Sequence, residues 1–192
     1  MCDVQMVSGE VPVEVWAQDE CRLGLKPIIR RVWTKCGERP KAVCQIRYEW
    51  TYVYGFVRPA TGETHWLILP HVSRECFDIA LQRFAARVGA SKNKRIILVL
   101  DGAGWHKSLA LNTPCGITLM FLPPYSPELQ PAEKLWPLIR EAVANRSFDS
   151  IEDVEDAIEM RCQYLADNQN IIKGHTLFHW WNTQEHNLHI TV

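Results

Sequence analysis

The chain has 192 residues, of which 47% are apolar, 10% aromatic and 22% charged. This balance is typical of a globular protein and is enough for one domain with a sizeable core. No apolar stretch approaches the ~18 residues needed to span a bilayer, and the first residues lack the basic and apolar regions of a secretory signal. We therefore expect an intracellular protein with no membrane partner.

The seven cysteines are an odd number and include no Cys-x-x-Cys pair. A disulfide framework or a zinc ribbon needs paired cysteines, so reduced structural thiols are the expectation. The formal net charge is only −1, but between residues 22 and 47 eight basic residues face one acid, Glu38. A local basic stretch matters more to a phosphate backbone than the charge of the whole chain.

Three strands are predicted in the first third of the chain. Residues 11–19 form a strand-like run that ends at Asp19. After the basic stretch, residues 43–57 are rich in β-branched and aromatic side chains, and the turn-forming residues 58–63 separate them from a further strand at 64–69. This pattern predicts an antiparallel hairpin.

Helices and two more strands follow. Ser73 is a candidate cap for a helix with an apolar face, and the apolar run 96–100 is typical of a strand buried on both faces. A short helix after Trp105 leads to a strand at 117–122. The order predicts an α/β fold with a mixed sheet and helices on its faces.

The remaining helices begin at recognisable caps. Pro131 suits a first helical turn, and an apolar face continues behind it from Leu135 to Val143. Ser150 with Asp153 forms a capping-box pattern at the start of a last helix. No internal repeat or flexible linker interrupts the chain, which favours one compact domain.

Three acids stand at the ends of predicted elements. Asp101 closes the buried strand, Asp19 closes the first strand, and Glu133 lies in the helical turn after Pro131. Taken singly, an acid that ends a strand is more often a cap or turn residue. Together, their carboxylates suit hard divalent cations, which drive phosphoryl transfer in many enzymes.

Two neighbouring acids compete with these candidates. Glu20 adjoins Asp19, but adjacent side chains of a strand point to opposite faces, so both cannot easily reach one site. Glu128 lies between two prolines, where it can serve the turn.

Four blocks of sequence carry a family resemblance. They are residues 18–25 (QDECRLGL), 31–40 (RVWTKCGERP), 100–106 (LDGAGWH) and 123–133 (PPYSPELQPAE). In this order they resemble the catalytic domain of an IS630-type transposase, within the Tc1/mariner superfamily of DDE enzymes. One departure is Gln130, where that family usually has Asn.

The resemblance implies a ribonuclease H-like mixed sheet with helices on both faces. It implies that Asp19, Asp101 and Glu133 are catalytic and hold Mg²⁺ or Mn²⁺, with two ions expected. The implied function is a DNA transposase catalytic domain that performs metal-dependent DNA strand cleavage and strand transfer of an insertion sequence.

The resemblance also implies partners and an organisation. The expected partners are DNA with inverted-repeat ends, target DNA, an upstream helix-turn-helix module or its separate product, and a second copy in a homodimer. The expected location is the prokaryotic cytoplasm, on the nucleoid when bound to DNA. The expected organisation is a leader at 1–10, a ribonuclease H-like DDE catalytic domain at 11–170 and a C-terminal tail at 171–192.

The basic stretch is the candidate DNA-binding segment. Its candidate contacts are Arg30, Arg31, Trp33, Lys35 and Arg39. An aromatic side chain among cations is typical of a loop that binds nucleic acid strands, whereas the alternative is an ordinary solvated loop.

Other aromatic and histidine residues admit two interpretations. His106 either orients water or phosphate near Asp101 or makes a structural hydrogen bond. Trp105, Trp136 and the pair Trp180 and Trp181 either stack on bases or pack in the core, and the helical spacing of Trp136 favours packing.

Two rival functions stay open at this point. One is a non-catalytic DNA-binding or assembly protein derived from a transposase. The other is a different nuclease of the same fold, such as a ribonuclease H or a resolvase. The presence of all three acids favours an enzyme.

Overall fold

A five-stranded mixed sheet forms the centre of the protein in a computed structural model, which describes residues 11–41, 45–102, 112–124 and 126–181. The strands are β1 (Val13–Gly24), β2 (Trp50–Arg58), β3 (Glu63–Leu69), β4 (Arg95–Leu100) and β5 (Ile117–Phe121). Their order across the sheet is β3-β2-β1-β4-β5. The pairs β1–β2 and β2–β3 are antiparallel, which confirms the hairpin, while β1–β4 and β4–β5 are parallel.

Helices cover both faces of this sheet. They are α1 (Arg74–Val88), α2 (Leu135–Arg140), α3 (Ile151–Asp167) and α4 (Gln169–Thr176). The apolar side of α1 packs with alternate residues of β1, β2 and β4 on one face. Residues of α2, α3 and α4 form a second core on the other face. The α/β fold with helices on both faces is therefore as predicted.

The predicted caps and the buried strand are also present. Ser73 accepts a hydrogen bond from the backbone N–H of Cys76 at the start of α1. Ser150 and Asp153 form a reciprocal capping box at the start of α3. In β4, every residue from 96 to 100 is buried, because side chains of both faces meet a core.

The first strand is longer than predicted. It does not end at Asp19 but continues to Gly24, because residues 20–24 pair with residues 50–54 of β2. Cys21 and Leu23 alternate into the core along this extension. The part of the basic stretch from Lys26 onward is thus separated from Asp19 by at least five residues of strand.

The predicted boundary at residue 170 falls inside packed structure. Helix α4 crosses it, and Ile172 and Trp181 are buried in the same core as α3. The leader at 1–10 and the short helix after Trp105 lie outside the described residues. Among the residues that are described, no helix has the length and apolar character to cross a membrane.

Candidate active site

The parallel pairing of β1 and β4 places two of the acids side by side. Ala17 is paired with Val99, and Asp19 and Asp101 each lie two residues further along. Because side chains two apart in a strand share a face, both acids lie on the face that Ala17 and Val99 present to the core around α2. Asp101 follows the last residue of β4, at the carboxyl end of the parallel strands, where open α/β sheets bind ligands.

Glu133 reaches the same place from a different element. It lies in a short 3₁₀ helix, Pro131–Lys134, that leads into α2. Asp19, Asp101 and Glu133 line one open cleft of about 420 Å³. The other lining residues are Gly102, Leu122, Pro123, Pro124, Ser126, Pro127 and Gln130. Residues distant in sequence are therefore brought to one cleft.

Two side-chain hydrogen bonds join β1 to the segment that carries Glu133. The indole Nε1–H of Trp136 donates to Oδ2 of Asp19 at 2.7 Å. The amide Nε2 of Gln130 donates to the backbone carbonyl of Gln18 at 3.0 Å. Sequence reasoning assigned Trp136 to the core, which is correct for its ring, but it missed this contact with a candidate ligand.

A glycine of β2 makes room for the indole. Gly55 is paired with Asp19, and a Cβ at this position would lie 2.9 Å from Cη2 of Trp136 and 2.9 Å from Cζ3 of Trp66. Atoms this close overlap, so a larger residue would displace one ring. Gly55 therefore permits Trp136 to approach Asp19 across the sheet.

The surroundings of Asp19 and Glu133 disfavour the charged form of both carboxyl groups. Burial, with a smaller contribution from the charges of Glu20 and Asp101, raises the pKa of Asp19 to about 7, although the Trp136 hydrogen bond opposes the shift. Burial and the charge of Asp101 also raise the pKa of Glu133, against the lowering effect of Lys134. Repulsion among carboxylates of this kind is relieved by a bound cation.

The cleft fits a hard cation in its donor chemistry. Three carboxylates line it, and oxygen donors are what Mg²⁺ and Mn²⁺ prefer. Within the described part of the chain, however, no group of three His, Cys, Asp or Glu side chains is arranged so that it could hold a metal ion. The three candidate ligands thus line one cleft, but they do not form a group that is arranged to hold a metal ion.

The competing acids are not among the residues that line the cleft. Glu20 accepts a hydrogen bond from the amide of Gln18, and both lie on the opposite face of β1 from Asp19. Glu128 lies exposed in the 3₁₀ turn Pro127–Leu129.

Most of the basic stretch lies in the connection between β1 and β2. We refer to this connection, residues 25–49, as the basic loop; residues 25–41 and 45–49 of it are described. Its base is closed by a hydrogen bond from Leu25 N–H to the Glu49 carbonyl at 3.1 Å. Ile28 forms a parallel bridge with Ala144 beyond α2. Trp33 is fully exposed at 103%.

The candidate DNA contacts of the basic loop differ in how they are held. The guanidinium of Arg30 donates to the Pro137 carbonyl at 3.0 Å, which attaches it to α2. The candidates Arg31, Lys35 and Arg39 are exposed. The basic loop is therefore anchored at Arg30 beside Trp136, while much of its charge faces solvent.

The remaining aromatic candidates are partly described. His106 and Trp105 lie outside the described residues. Trp180 and Trp181 have ring centroids 5.5 Å apart, and Trp181 is buried whereas Trp180 is 42% exposed.

The class of fold is shared with solved transposase structures. A pre-cleavage Mos1 transpososome superimposes with a TM-score of 0.57 at 14% identity, covering 86% of this chain and 56% of that chain. The Mos1 mariner paired-end complex with Mn gives 0.55 at 16% identity, with 86% and 56% covered. The ribonuclease H-like fold is thereby confirmed. This chain spans about half the length of the Mos1 chains that it matches.

The family follows from the sequence itself. The model of the DDE superfamily endonuclease family matches residues 14–155, and the chain belongs to this family. It is also 41% identical over 108 residues to an uncharacterized protein of Sinorhizobium fredii, y4pE/y4sA, covering 55% of this chain and 77% of that protein. The predicted resemblance is confirmed as a DDE endonuclease domain with the fold of a mariner transposase. The IS630 type stays a prediction.

Proposed function

We propose that this chain is the catalytic domain of a DNA transposase that cleaves DNA strands and joins them to a target. The observation that carries the proposal is the convergence of Asp19, Asp101 and Glu133 on one cleft in a DDE endonuclease domain. An isolated acid at a strand end has an ordinary role as a cap, but three acids from separate elements facing one cleft have no common structural role.

The three carboxylates are the proposed ligands of divalent ions. Mg²⁺ and Mn²⁺ are the proposed cations, supported by Mos1 complexes with Mg and with Mn that share the fold. When bound, two such ions stabilise the attacking and departing oxygens of an in-line displacement at phosphorus. The raised pKa of Asp19 supports this role, because an uncompensated, partly buried carboxylate gains from a nearby positive charge.

The residues around the acids shape how a phosphate enters. The cleft is open and is bordered by Pro123, Pro124 and Pro127, whose fixed φ angles limit backbone motion. Trp136 occupies one oxygen of Asp19 and packs behind it, which keeps that side of the carboxylate away from water. The exposed Lys134 adds a positive charge next to Glu133, where it can meet the DNA backbone.

The basic loop is the proposed DNA-binding surface. Arg30, Arg31, Lys35 and Arg39 offer cations without a recognition helix, which suits phosphate contacts better than base reading. Trp33 is fully exposed and can stack on an unpaired base. The attachment of Arg30 to α2 beside Trp136 places the base of this surface near the cleft.

The proposed partners extend beyond the chain. They are transposon ends with inverted repeats, target DNA, a helix-turn-helix module encoded upstream or separately, and a second copy of the chain. The similar Mos1 structures include a paired-end complex and a strand-transfer complex, which supports assembly on DNA ends. The proposed place of action is the prokaryotic cytoplasm, on the nucleoid.

A cleavage and strand-transfer assay tests the proposal. Duplexes made from the inverted repeats that flank the gene would be incubated with the protein and its upstream module, with Mg²⁺, Mn²⁺ or EDTA. We expect cleavage at the repeat ends and joined products with either cation. Sequence-independent binding without cleavage under all three conditions would instead support the non-catalytic rival, and cleavage without joining would support another nuclease.

A further inference from the structure

Glu133 is flanked by two side chains that both bond to the same short stretch of β1. Gln130, three residues before it, donates to the carbonyl of Gln18, and Trp136, three residues after it, donates to the carboxylate of Asp19. Gln130 and Trp136 are almost fully buried, at 2% and 5% exposure. We call this pair of contacts the bracket.

Both polar atoms of the Gln130 side-chain amide form hydrogen bonds. While Nε2 binds the Gln18 carbonyl, Oε1 accepts the backbone N–H of Ala132 at 3.4 Å and so caps the 3₁₀ helix that contains Glu133. Removing the Gln130 amide would take this donor away from the Gln18 carbonyl. Leaving a buried acceptor without its donor lowers the stability of the fold. The start of the Glu133 turn is thus tied to β1 at a defined residue.

The Trp136 bond belongs to a longer alignment of α2 with β1. Four residues after Trp136, Arg140 donates from Nη2 to Sγ of Cys21 at 3.4 Å, two residues after Asp19. Four residues of α-helix rise about 6.0 Å, and two residues of strand rise about 6.6 Å. The two contacts therefore match in spacing, and α2 is held in register along β1.

A neighbouring tryptophan shows that this bond is not simply what a packed indole does. Trp66 also packs against the Gly55 position, yet its Nε1–H donates to Thr64 Oγ1 at 2.9 Å, only two residues away. The Trp136 bond instead joins positions 117 residues apart in sequence, and it connects the strand that carries Asp19 to the helix that directly follows the Glu133 turn. A buried indole N–H usually finds a partner, and the partner of Trp136 is a cleft acid on a distant strand.

We propose that Gln130 and Trp136 are positioning residues, which set Glu133 relative to Asp19 and hold the Asp19 carboxylate in the orientation that a divalent cation requires. This inference rests on the proposed function, since it assumes that the cleft takes up a cation. Partners that orient a metal ligand contribute to affinity although they do not touch the metal, and their loss typically lowers it about 10–100-fold.

The test measures cation binding directly. Mn²⁺ would be titrated into the metal-free 192-residue chain, and the free ion would be counted by electron paramagnetic resonance. Trp136→Phe keeps an aromatic ring and removes the N–H, and Gln130→Met keeps length and removes the amide. We expect each to weaken Mn²⁺ binding about 10–100-fold. The matched control Trp66→Phe removes an N–H from the other ring at Gly55 and should bind like the wild type.

A second measurement separates positioning from stability. Thermal melting identifies any variant that is unfolded at the titration temperature, and for the wild type the indole N–H proton resonance that disappears in Trp136→Phe should shift when Mg²⁺ is added. A wild-type chain that binds no Mn²⁺ would contradict the proposed function and the bracket together. Binding by the wild type with equal affinity in folded Trp136→Phe, or an unmoved Trp136 resonance, would overturn the bracket alone.

Discussion

The acidic cleft and the basic loop are built in opposite ways. In the cleft, the positions of Asp19 and Asp101 follow from strand pairing, and Glu133 is held through buried contacts of its neighbours with β1. The basic loop is joined to the domain near its base and exposes much of its charge. The proposed chemistry, which needs fixed distances, thus lies on paired strands, whereas the proposed contact with the DNA backbone lies on a solvent-exposed loop.

The largest expected effect is at Asp101. Asp101→Asn removes a proposed ligand charge and nearly preserves side-chain volume, so we expect a loss of several kcal/mol of transition-state stabilisation, a fall in cleavage rate of about 1,000-fold or more. The melting temperature should be unchanged or raised, because repulsion with Asp19 and Glu133 is relieved. Single-turnover cleavage with Mg²⁺ and with Mn²⁺ checks this, and wild-type rates in the variant would assign the chemistry to another acid.

The next largest effect is expected from Gly55→Ala, which tests how tightly the side chains around the cleft are packed. Gly55→Ala adds a methyl group 2.9 Å from both Trp136 and Trp66, so one ring must shift. We expect a loss of about 1–3 kcal/mol in the free energy of unfolding, as for other overpacked cores, together with weaker Mn²⁺ binding.

The matched control for Gly55→Ala is Gly174→Ala in α4. A Cβ there has no heavy atom within 4 Å, and alanine favours a helix by about 0.5–1 kcal/mol over glycine. Denaturant unfolding should therefore move in opposite directions for the two variants. Equal stability of Gly55→Ala and the wild type would show that the cleft is as tolerant as the basic loop.

The pH dependence of stability tests the strain at Asp19. Its pKa is about 7 when folded and 3.8 in the reference state, so the folded protein binds more protons between these values and its stability falls as pH rises through this range. Asp19→Asn removes this loss. In EDTA, we expect the free energy of unfolding of the variant minus that of the wild type to increase from pH 4 to pH 8.

Added Mg²⁺ should reverse this preference at pH 8, because a cation that binds only the folded wild type stabilises it by mass action. A difference between the two proteins that stays constant with pH would mean that Asp19 is not strained.

The smallest effects are expected in the basic loop. Replacing Arg31, Lys35 and Arg39 with Ala removes exposed charges, so stability should change by less than about 0.5 kcal/mol. Binding to unrelated duplexes should weaken by similar factors, and the salt slope should flatten by up to about 2.7 for three phosphate contacts. Fluorescence anisotropy at three or more salt concentrations measures both, and an unchanged slope would reduce the basic loop to a solvated connection.

Arg30 serves as an internal contrast to that triple variant. Its guanidinium already bonds to the Pro137 carbonyl. Arg30→Ala should therefore change the melting temperature more than an alanine substitution of any one of the exposed cations. It should change the salt dependence of DNA binding less.

Local patterns of sequence predicted the elements well, but not where β1 ends. The alternation of Cys21 and Leu23 into the core continues the strand beyond Asp19, yet the polar Glu20 and Arg22 between them look like a loop until β2 pairs alongside. The packing of residues beyond 170 has a related cause, since burial of Ile172 depends on a core built by distant elements.

The cleft was predictable as a set of acids but not as an arrangement. The blocks around Asp19, Asp101 and Glu133 identify the candidates, and the parallel register explains how two of them become neighbours. The Trp136 bond to Asp19 and the Gln130 bond to Gln18 leave no local pattern, because each joins residues more than 100 positions apart. The one feature of the sequence that drew attention to Gln130 was its difference from the Asn that the resembling family usually has there.

The closed base of the basic loop has a consequence for how such domains diverge. Leu25 and Glu49 are joined by a backbone hydrogen bond, so residues between them can be added or removed with both strand ends still tied together. Each doubling of a flexible loop costs only about 0.6 kcal/mol of closure entropy. Gly37 has open space around its backbone and a φ of +87° in a turn, which marks a tolerant insertion point. Residues inserted there would therefore lengthen the segment while the hydrogen bond between Leu25 and Glu49 still holds the ends of β1 and β2 together.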